Sequence, residues 1–264
     1  MFFILSKMLR LREWIQPERL TWMRLSANPA AIQILETNPD KVVLEHLSTN
    51  PAAIHLLERV GRRWFWLSIN PAAAHLFKEN LDKVNWDNLS SNPGAIQILE
   101  ANLDKVNWAN LSSNPAAIQL LEANPDKINW RLLSANPSAI HLLEKHPHKI
   151  NWSNLSKNPA AIHLLEANRD KIAWNNLSLN PAAIHLLTQN QDKIDWYHLS
   201  QNPAAIHLLS KNQDKIRMDW LSSNPAIFEY DYEGMTESRA LLHEELISVC
   251  YHPDNFTRLI QIKN

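Results

Sequence analysis

Trp108-Ala109-Asn110-Leu111-Ser112-Ser113-Asn114-Pro115-Ala116-Ala117-Ile118-Gln119-Leu120-Leu121-Glu122-Ala123-Asn124-Pro125-Asp126-Lys127-Ile128-Asn129 is one turn of a pattern that fills most of this chain of 264 residues. Two helix starts can be read in it. Asn114 is a good N-cap, and Pro115 suits the first helical position, where a missing N–H costs nothing and φ is already helical. Ile118, Leu120 and Leu121 then form an apolar stripe at helical spacing. Asn124 stands where a left-handed residue would close the helix, with Pro125 behind it. The spacing predicts a helix of about nine residues here. A shorter helix opens at Asn107-Trp108, with Val106 and Leu111 at the distance of a hydrophobic staple.

The Asn-Pro phrase recurs at Asn28, Asn50, Asn70, Asn92, Asn114, Asn136, Asn158, Asn180, Asn202 and Asn224, and the step is 22 residues everywhere except from Asn50 to Asn70, where it is 20. A strict period of this length marks one supersecondary unit stacked on its own copies, because each copy leaves an apolar face that only a neighbour can cover. The expected fold is all-α, a solenoid of about ten helix-turn-helix repeats with helical end caps. Residues 1–25 form the first cap, 26–225 the repeats and 226–264 the second. A leucine-rich-repeat horseshoe is the competing reading. Such repeats place an Asn two residues after an alternating Leu, and Leu111 occupies that slot here.

In the first cap, Leu11, Trp14, Ile15, Leu20, Trp22 and Leu25 are available to cover copy one. In the second, an amphipathic helix is expected from about Thr236 to Val249, followed by a short segment from His252-Pro253 through Ile262. Copy three departs most: Arg59-Val60-Gly61-Arg62-Arg63-Trp64-Phe65-Trp66 is two residues short. Gly61 suggests a tightened turn and a bend in the stack. Arg62, Arg63, Trp64 and Trp66 are a candidate partner-binding notch, against the plainer reading of a tolerated surface deletion.

Stacking turns each repeated position into a column. Trp86, Trp108, Trp130, Trp152, Trp174 and Trp196 fall in register with the Leu of the short helix and are expected to pack in the interior. His55, His75, His141, His163, His185 and His207 share a position with Gln33, Gln97 and Gln119. Stacked helices stand too far apart for one metal ion, so these side chains are expected to reach backbone groups across the seam between copies. Asp and Lys, as at Asp126-Lys127, form parallel columns read as a solvated, mutually screened edge.

Composition excludes several classes. Three Gly against 15 Pro and 11 Trp argues for helices joined by short turns. A net charge of −1 gives no basic field to recruit nucleic acid. Cys250 is the single cysteine, so no internal disulfide can form, and with His243 and His252 nearby it reads as an inert thiol. The cluster His141, His146 and His148 lacks a recurring ligand spacing. No phosphate loop, Gly-x-Ser-x-Gly or paired-carboxylate motif is present. The chain is expected to be non-enzymatic, with no catalytic residue, metal or cofactor. The apolar run at Phe2–Leu5 is too short for a signal peptide, and no stretch is apolar enough to span a membrane.

The phrase Trp-x-x-Leu-Ser-x-Asn-Pro-x-Ala-Ile-His-Leu-Leu-Glu-x-Asn-x-Asp-Lys-Ile resembles a tandem-repeat family abundant in giant nucleocytoplasmic DNA viruses. Leu11-Arg12-Glu13-Trp14-Ile15 at one end, and Phe228-Glu229-Tyr230-Asp231-Tyr232 with His252-Pro253 at the other, resemble that family's ends. The resemblance implies an interaction module found in the host cytoplasm or the virion, and it carries over no site residue. The expected function is a protein-binding scaffold for a host or viral partner, with a rigid virion spacer as the alternative and a nucleic-acid-binding array as the third reading. No small-molecule substrate and no membrane partner are expected. Specificity is expected at positions that vary against the constant frame: Glu45, His46, Asp87, Ala109, Arg131, Ser153, Asn175, Asn176, Tyr197 and His198 on the short helices, and Lys157, Leu179 and Gln201 before the Asn-Pro pairs.

Overall fold

A computed structural model describes residues 9–237, 239, 240 and 244. In the fifth copy a short helix, Trp108–Leu111, leads into a 3-10 turn, Pro115–Ala117. A second helix, Ile118–Ala123, leads into another 3-10 turn, Pro125–Lys127. These four pieces are called the Trp helix, the Asn-Pro turn, the Ile helix and the Asp-Lys turn. The caps are where their chemistry predicts. Asn107 accepts the Asn110 amide at 3.1 Å and Asn114 accepts the Ala116 amide at 3.0 Å. That grip, with the Ala117 amide donating to the Asn114 carbonyl at 3.1 Å, tightens the first turn into 3-10 geometry. The expected nine-residue helix is therefore a turn joined to a helix. The Asp-Lys turn is an element that sequence reading missed.

Asn124 corrects a further expectation. Its φ is −133° and no non-glycine residue has a positive φ among the described residues. The helix is closed instead by its side chain, whose Nδ2 donates to the Leu120 carbonyl at 2.9 Å. An amide side chain that satisfies a last-turn carbonyl removes the need for the left-handed backbone.

Within Trp14–Ile227 no residue is in a strand among the described residues, so the leucine-rich-repeat alternative finds no support. Leu111, Ala117 and Leu121 are fully buried, as are most of their equivalents. Two hydrogen-bond ladders join the copies. Asn114 Nδ2 donates to the carbonyls of Ser90 and Asn92 in the preceding copy at 3.1 and 3.0 Å. Ser112 Oγ donates to the Trp108 carbonyl and accepts the Asn129 amide of the following copy at 2.9 Å. A buried amide must satisfy both of its N–H groups and its carbonyl, and this Asn does all three. The same pattern repeats across the 20-residue step, where Asn70 donates to Ser48 and Asn50. The two missing residues are taken from the outer turn, where Gly61 adopts φ 102°.

The ladder has no open end. Asn28 Nδ2 donates to the carbonyls of Ser222 and Asn224 at 3.0 and 3.1 Å, and the Thr21 amide donates to Ser222 Oγ at 3.0 Å. These are the same bonds that join any two consecutive copies, here made between the tenth and the first. Copies within Trp14–Ile227 therefore form a closed circle. The expectation of an open array, with a first seam covered by a cap, is corrected. Asn28 and Asn224 are as fully buried as the internal asparagines. Residues near the amino terminus complete the tenth unit: Pro17–Arg19 forms the 3-10 turn that Pro125–Lys127 forms in the fifth. Trp22–Ala27 is a genuine Trp helix with Leu25 buried, so the cap boundary at residue 25 cuts through the first repeat.

A second compact unit is made from the described parts of Met1–Glu13 and Phe228–Asn264. There β1 (Leu9–Leu11) pairs antiparallel with β2 (Phe228–Tyr230), in the register Leu9 to Tyr230. Arg12 meets Glu229 at 2.9 Å across the pair. Residues 232–237 are helical. Most of the helix expected to Val249, the segment through Ile262, and Cys250, His243 and His252 lie outside the described residues.

Candidate functional site

In a closed circle, equivalent elements approach most closely where the radius is smallest. Successive Asn-Pro turns pack against one another, and so do Trp helices such as Trp22–Ala27 and Leu44–Thr49, while the longer Ile helices stand further apart. Trp helices and Asn-Pro turns thus form the inner side and Ile helices the outer. The variable positions named from sequence fall on the Trp helices or just behind them, on the inner side.

Their contacts divide them. Asp87 is tied into the frame: its carbonyl accepts Asn110 Nδ2 at 2.9 Å and its carboxylate accepts Asn107 Nδ2 at 2.7 Å. Asn154 Nδ2 donates to the Arg131 carbonyl, and Asn176 Nδ2 to the Ser153 carbonyl at 2.9 Å, which leaves the Arg131 side chain exposed. Lys157 is exposed beside them, without an ion pair among the described residues.

The notch in copy three also divides. Trp64 belongs to the Trp column and is half-buried under Lys83. Arg62 approaches Glu58 at 4.0 Å and Arg63 Nε meets Glu45 Oε1 at 3.2 Å. Trp66 is 42% exposed, and beside it lie Phe65 at 51% and Ile69 at 41%. Phe65 and Ile69 escaped sequence reading, although Ile69 stands where other copies carry Ala, Thr, Ser, Lys, Leu or Gln.

A further cluster spans the closing seam, where Arg24 of copy one meets Trp220 of copy ten. The Tyr197 and Trp220 ring centroids are 4.3 Å apart, and the Arg24 guanidinium lies 3.5 Å above the Trp220 ring. His198 Nδ1 is 3.1 Å from Asp195 Oδ2. Burial, and then the charge of Arg24, holds the His46 imidazole below its usual pKa, with Glu45 opposing. Backbone hydrogen bonding, with Arg63 beside it, holds the Glu45 carboxyl below its usual value.

Three column expectations change. Trp rings are half-buried, and a lysine lies over each: Lys127 over Trp108 at 4.4 Å, Lys149 over Trp130 at 4.4 Å, and Lys105, Lys171, Lys193 and Lys215 over Trp86, Trp152, Trp174 and Trp196 at 4.6–4.9 Å. Among the described residues no Asp pairs with these lysines, so the edge is a cation–π column and not a screened ion-pair edge. The histidines reach carboxylates and not backbone: His55, His141, His163 and His185 meet Glu36, Glu122, Glu144 and Glu166 of the preceding copy at 2.7–2.9 Å. The wider spacing on the outer side suits two long side chains better than a direct backbone contact.

Where copy three carries Ala74 in place of the usual Ile, and copy four carries Gly94, a groove of about 460 Å³ opens between His75, Lys78, Leu81 and Ile98. His146 and His148 contact each other edge to face at 6.2 Å, and among the described residues no group of His, Cys, Asp and Glu could hold a metal ion. Among the described residues no helix is long and apolar enough to cross a membrane. No family model matches the chain, and no curated protein or solved structure matches it.

Proposed function

We propose that this chain is a non-catalytic binding module that engages another protein through the inner, Trp-helix side of its circle of repeats. The observation that carries this reading is the patch Phe65, Trp66 and Ile69, three large apolar side chains left 41–51% exposed on one helical turn. Contiguous exposed apolar surface rimmed by charge, here Arg62, Arg63 and Glu45, is the usual mark of a protein contact. The architecture supports the same reading. Asn, Ser, Leu and Ala columns carry the fold, so Trp-helix positions can vary without disturbing it, and the likeness to viral repeat proteins points to a host or viral partner.

Affinity capture from producing cells, with the wild-type chain and with Phe65→Ser/Trp66→Ser/Ile69→Ser as paired baits, tests the proposal. A partner retained by the first and lost by the second is expected, with both baits melting at similar temperature. Identical recoveries from the two baits would sink it.

A further inference from the structure

The tenth-to-first seam brings together side chains that an open array would hold at opposite ends. Around the inner side, copies nine, ten, one, two and three present Tyr197, Trp220, Arg24, His46 and Trp66 in succession. Copies four to eight present mainly small or amide side chains at the same positions, such as Asn88, Ala109, Asn110, Ser153 and Asn175. One half of the wall is rich in aromatic side chains, and the other is mainly small and polar, with Arg131 and Lys157 its exposed cations.

Carboxylates on the aromatic half are already engaged. Glu45 is held by Arg63 at 3.2 Å, Asp219 by Arg217 at 3.7 Å, and Asp195 lies 3.1 Å from His198. Arg24 differs. Its guanidinium carbon lies 3.5 Å from the Trp220 ring centroid, and among the described residues no carboxylate pairs with it. A guanidinium close over an aromatic ring and without a carboxylate partner has N–H donors to offer an anion, and Arg is the side chain best suited to take a carboxylate.

We propose that this half-wall is a single docking surface for an acidic peptide segment carrying large apolar side chains, with Arg24 receiving a carboxylate and Tyr197 and the Phe65–Trp66 pair receiving the apolar groups. The proposal rests on the protein-binding reading above and adds the chemistry of the partner. Nucleic acid fits less well: the regular lysines are occupied by Trp rings, and Ile69 and Met23, both exposed, offer no stacking face.

Fluorescence anisotropy on the full chain tests it, with a labelled decapeptide alternating glutamate with phenylalanine, its lysine-for-glutamate analogue, and oligothymidine. The acidic peptide is expected to bind, the lysine analogue to bind at least about tenfold more weakly, and oligothymidine not to compete, because the contact is charge-assisted. Arg24→Gln and Trp66→Ala should each weaken the acidic peptide about tenfold, Arg24→Lys should restore part of the loss, and Lys145→Ala, on an exposed position of an outer Ile helix, should change nothing. Equal binding of the two peptides, or tighter binding of oligothymidine, overturns the proposal. So does an Arg24→Gln chain of unchanged stability that keeps full affinity. A partner captured through Phe65 and Trp66 that shows no preference for acid would overturn this inference and leave the protein-binding reading standing.

Discussion

Replacing Asn28 by Ala separates a closed circle from an open array more sharply than any other single change. In the closed ladder Asn28 makes the same three bonds as Asn136: two from Nδ2 to carbonyls of the neighbouring copy, at 3.0–3.1 Å, and one from an amide two residues ahead to Oδ1, at 3.0 Å. Both side chains are fully buried. Truncation leaves the Ser222 carbonyl and the Ala30 N–H without these partners, at about 1–3 kcal/mol each, and takes one of two bonds from the Asn224 carbonyl, which keeps the Ile227 amide; with some relaxation the loss is about 3–5 kcal/mol. Were copy one an open end, Asn28 would keep only its cap, and Asn28→Ala would cost about 1 kcal/mol. Urea unfolding followed by circular dichroism reads the difference. With a slope of roughly 3 kcal/mol/M, a 4 kcal/mol loss moves the midpoint by more than about 1 M. Asn28→Ala and Asn136→Ala are expected to shift it equally. A full shift for Asn136→Ala beside one of about 0.3 M for Asn28→Ala would refute closure, and the contiguous docking surface would go with it.

Other measurements bear on separate parts of the reasoning. Lys127→Met keeps the side-chain stem and removes the cation over Trp108, so thermal melts should show a loss of about 0.5–1 kcal/mol, while Asp126→Asn should fall within about 0.5 kcal/mol of wild type. Gly94→Ala drives a Cβ into the Pro71 carbonyl oxygen, and overpacking of this kind should cost about 1–3 kcal/mol although other copies carry Ala at the same position. His46 has a folded pKa below the ordinary 6.5, so the unfolded chain binds the proton more readily. Its contribution to stability is complete above pH 6.5 and is lost as pH falls through the folded value. Unfolding midpoints between pH 7.5 and 5 should therefore fall less steeply for His46→Gln than for wild type.

Local structure was legible because each cap has a chemical signature: Asn before Pro, Asn before Trp, and Leu at helical spacing. Period and helical class followed from these. Features that depend on how one copy meets the next were not legible. A histidine seven residues after a serine says nothing of which partner faces it, and only the splay of the outer helices places Glu122 against His141. The lysines looked solvated because Asp is their neighbour in sequence, whereas Trp is their neighbour in space. Pro17-Glu18-Arg19-Leu20-Thr21-Trp22 carries the outline of Pro125-Asp126-Lys127-Ile128-Asn129-Trp130, and that was the signal from which completion of the tenth unit could have been found. Of the candidate site, Trp66, Arg63 and Glu45 were each visible as deviations from the frame, but not the ion pair that joins the last two. Phe65 and Ile69 were hidden by reading the copy as a shortened turn.

Closure also bears on how such a gene can change. An extended stack can gain or drop a module with little penalty, because the new terminus presents the same face as the old. Here the amide of Asn28 must meet Ser222 and Asn224 across the last gap, so excision of one 22-residue module would leave the remaining nine to bend further at every joint or to part. Module number is thereby held fixed by geometry, and the two-residue deletion in copy three survives because it shortens the rim and leaves the hub untouched.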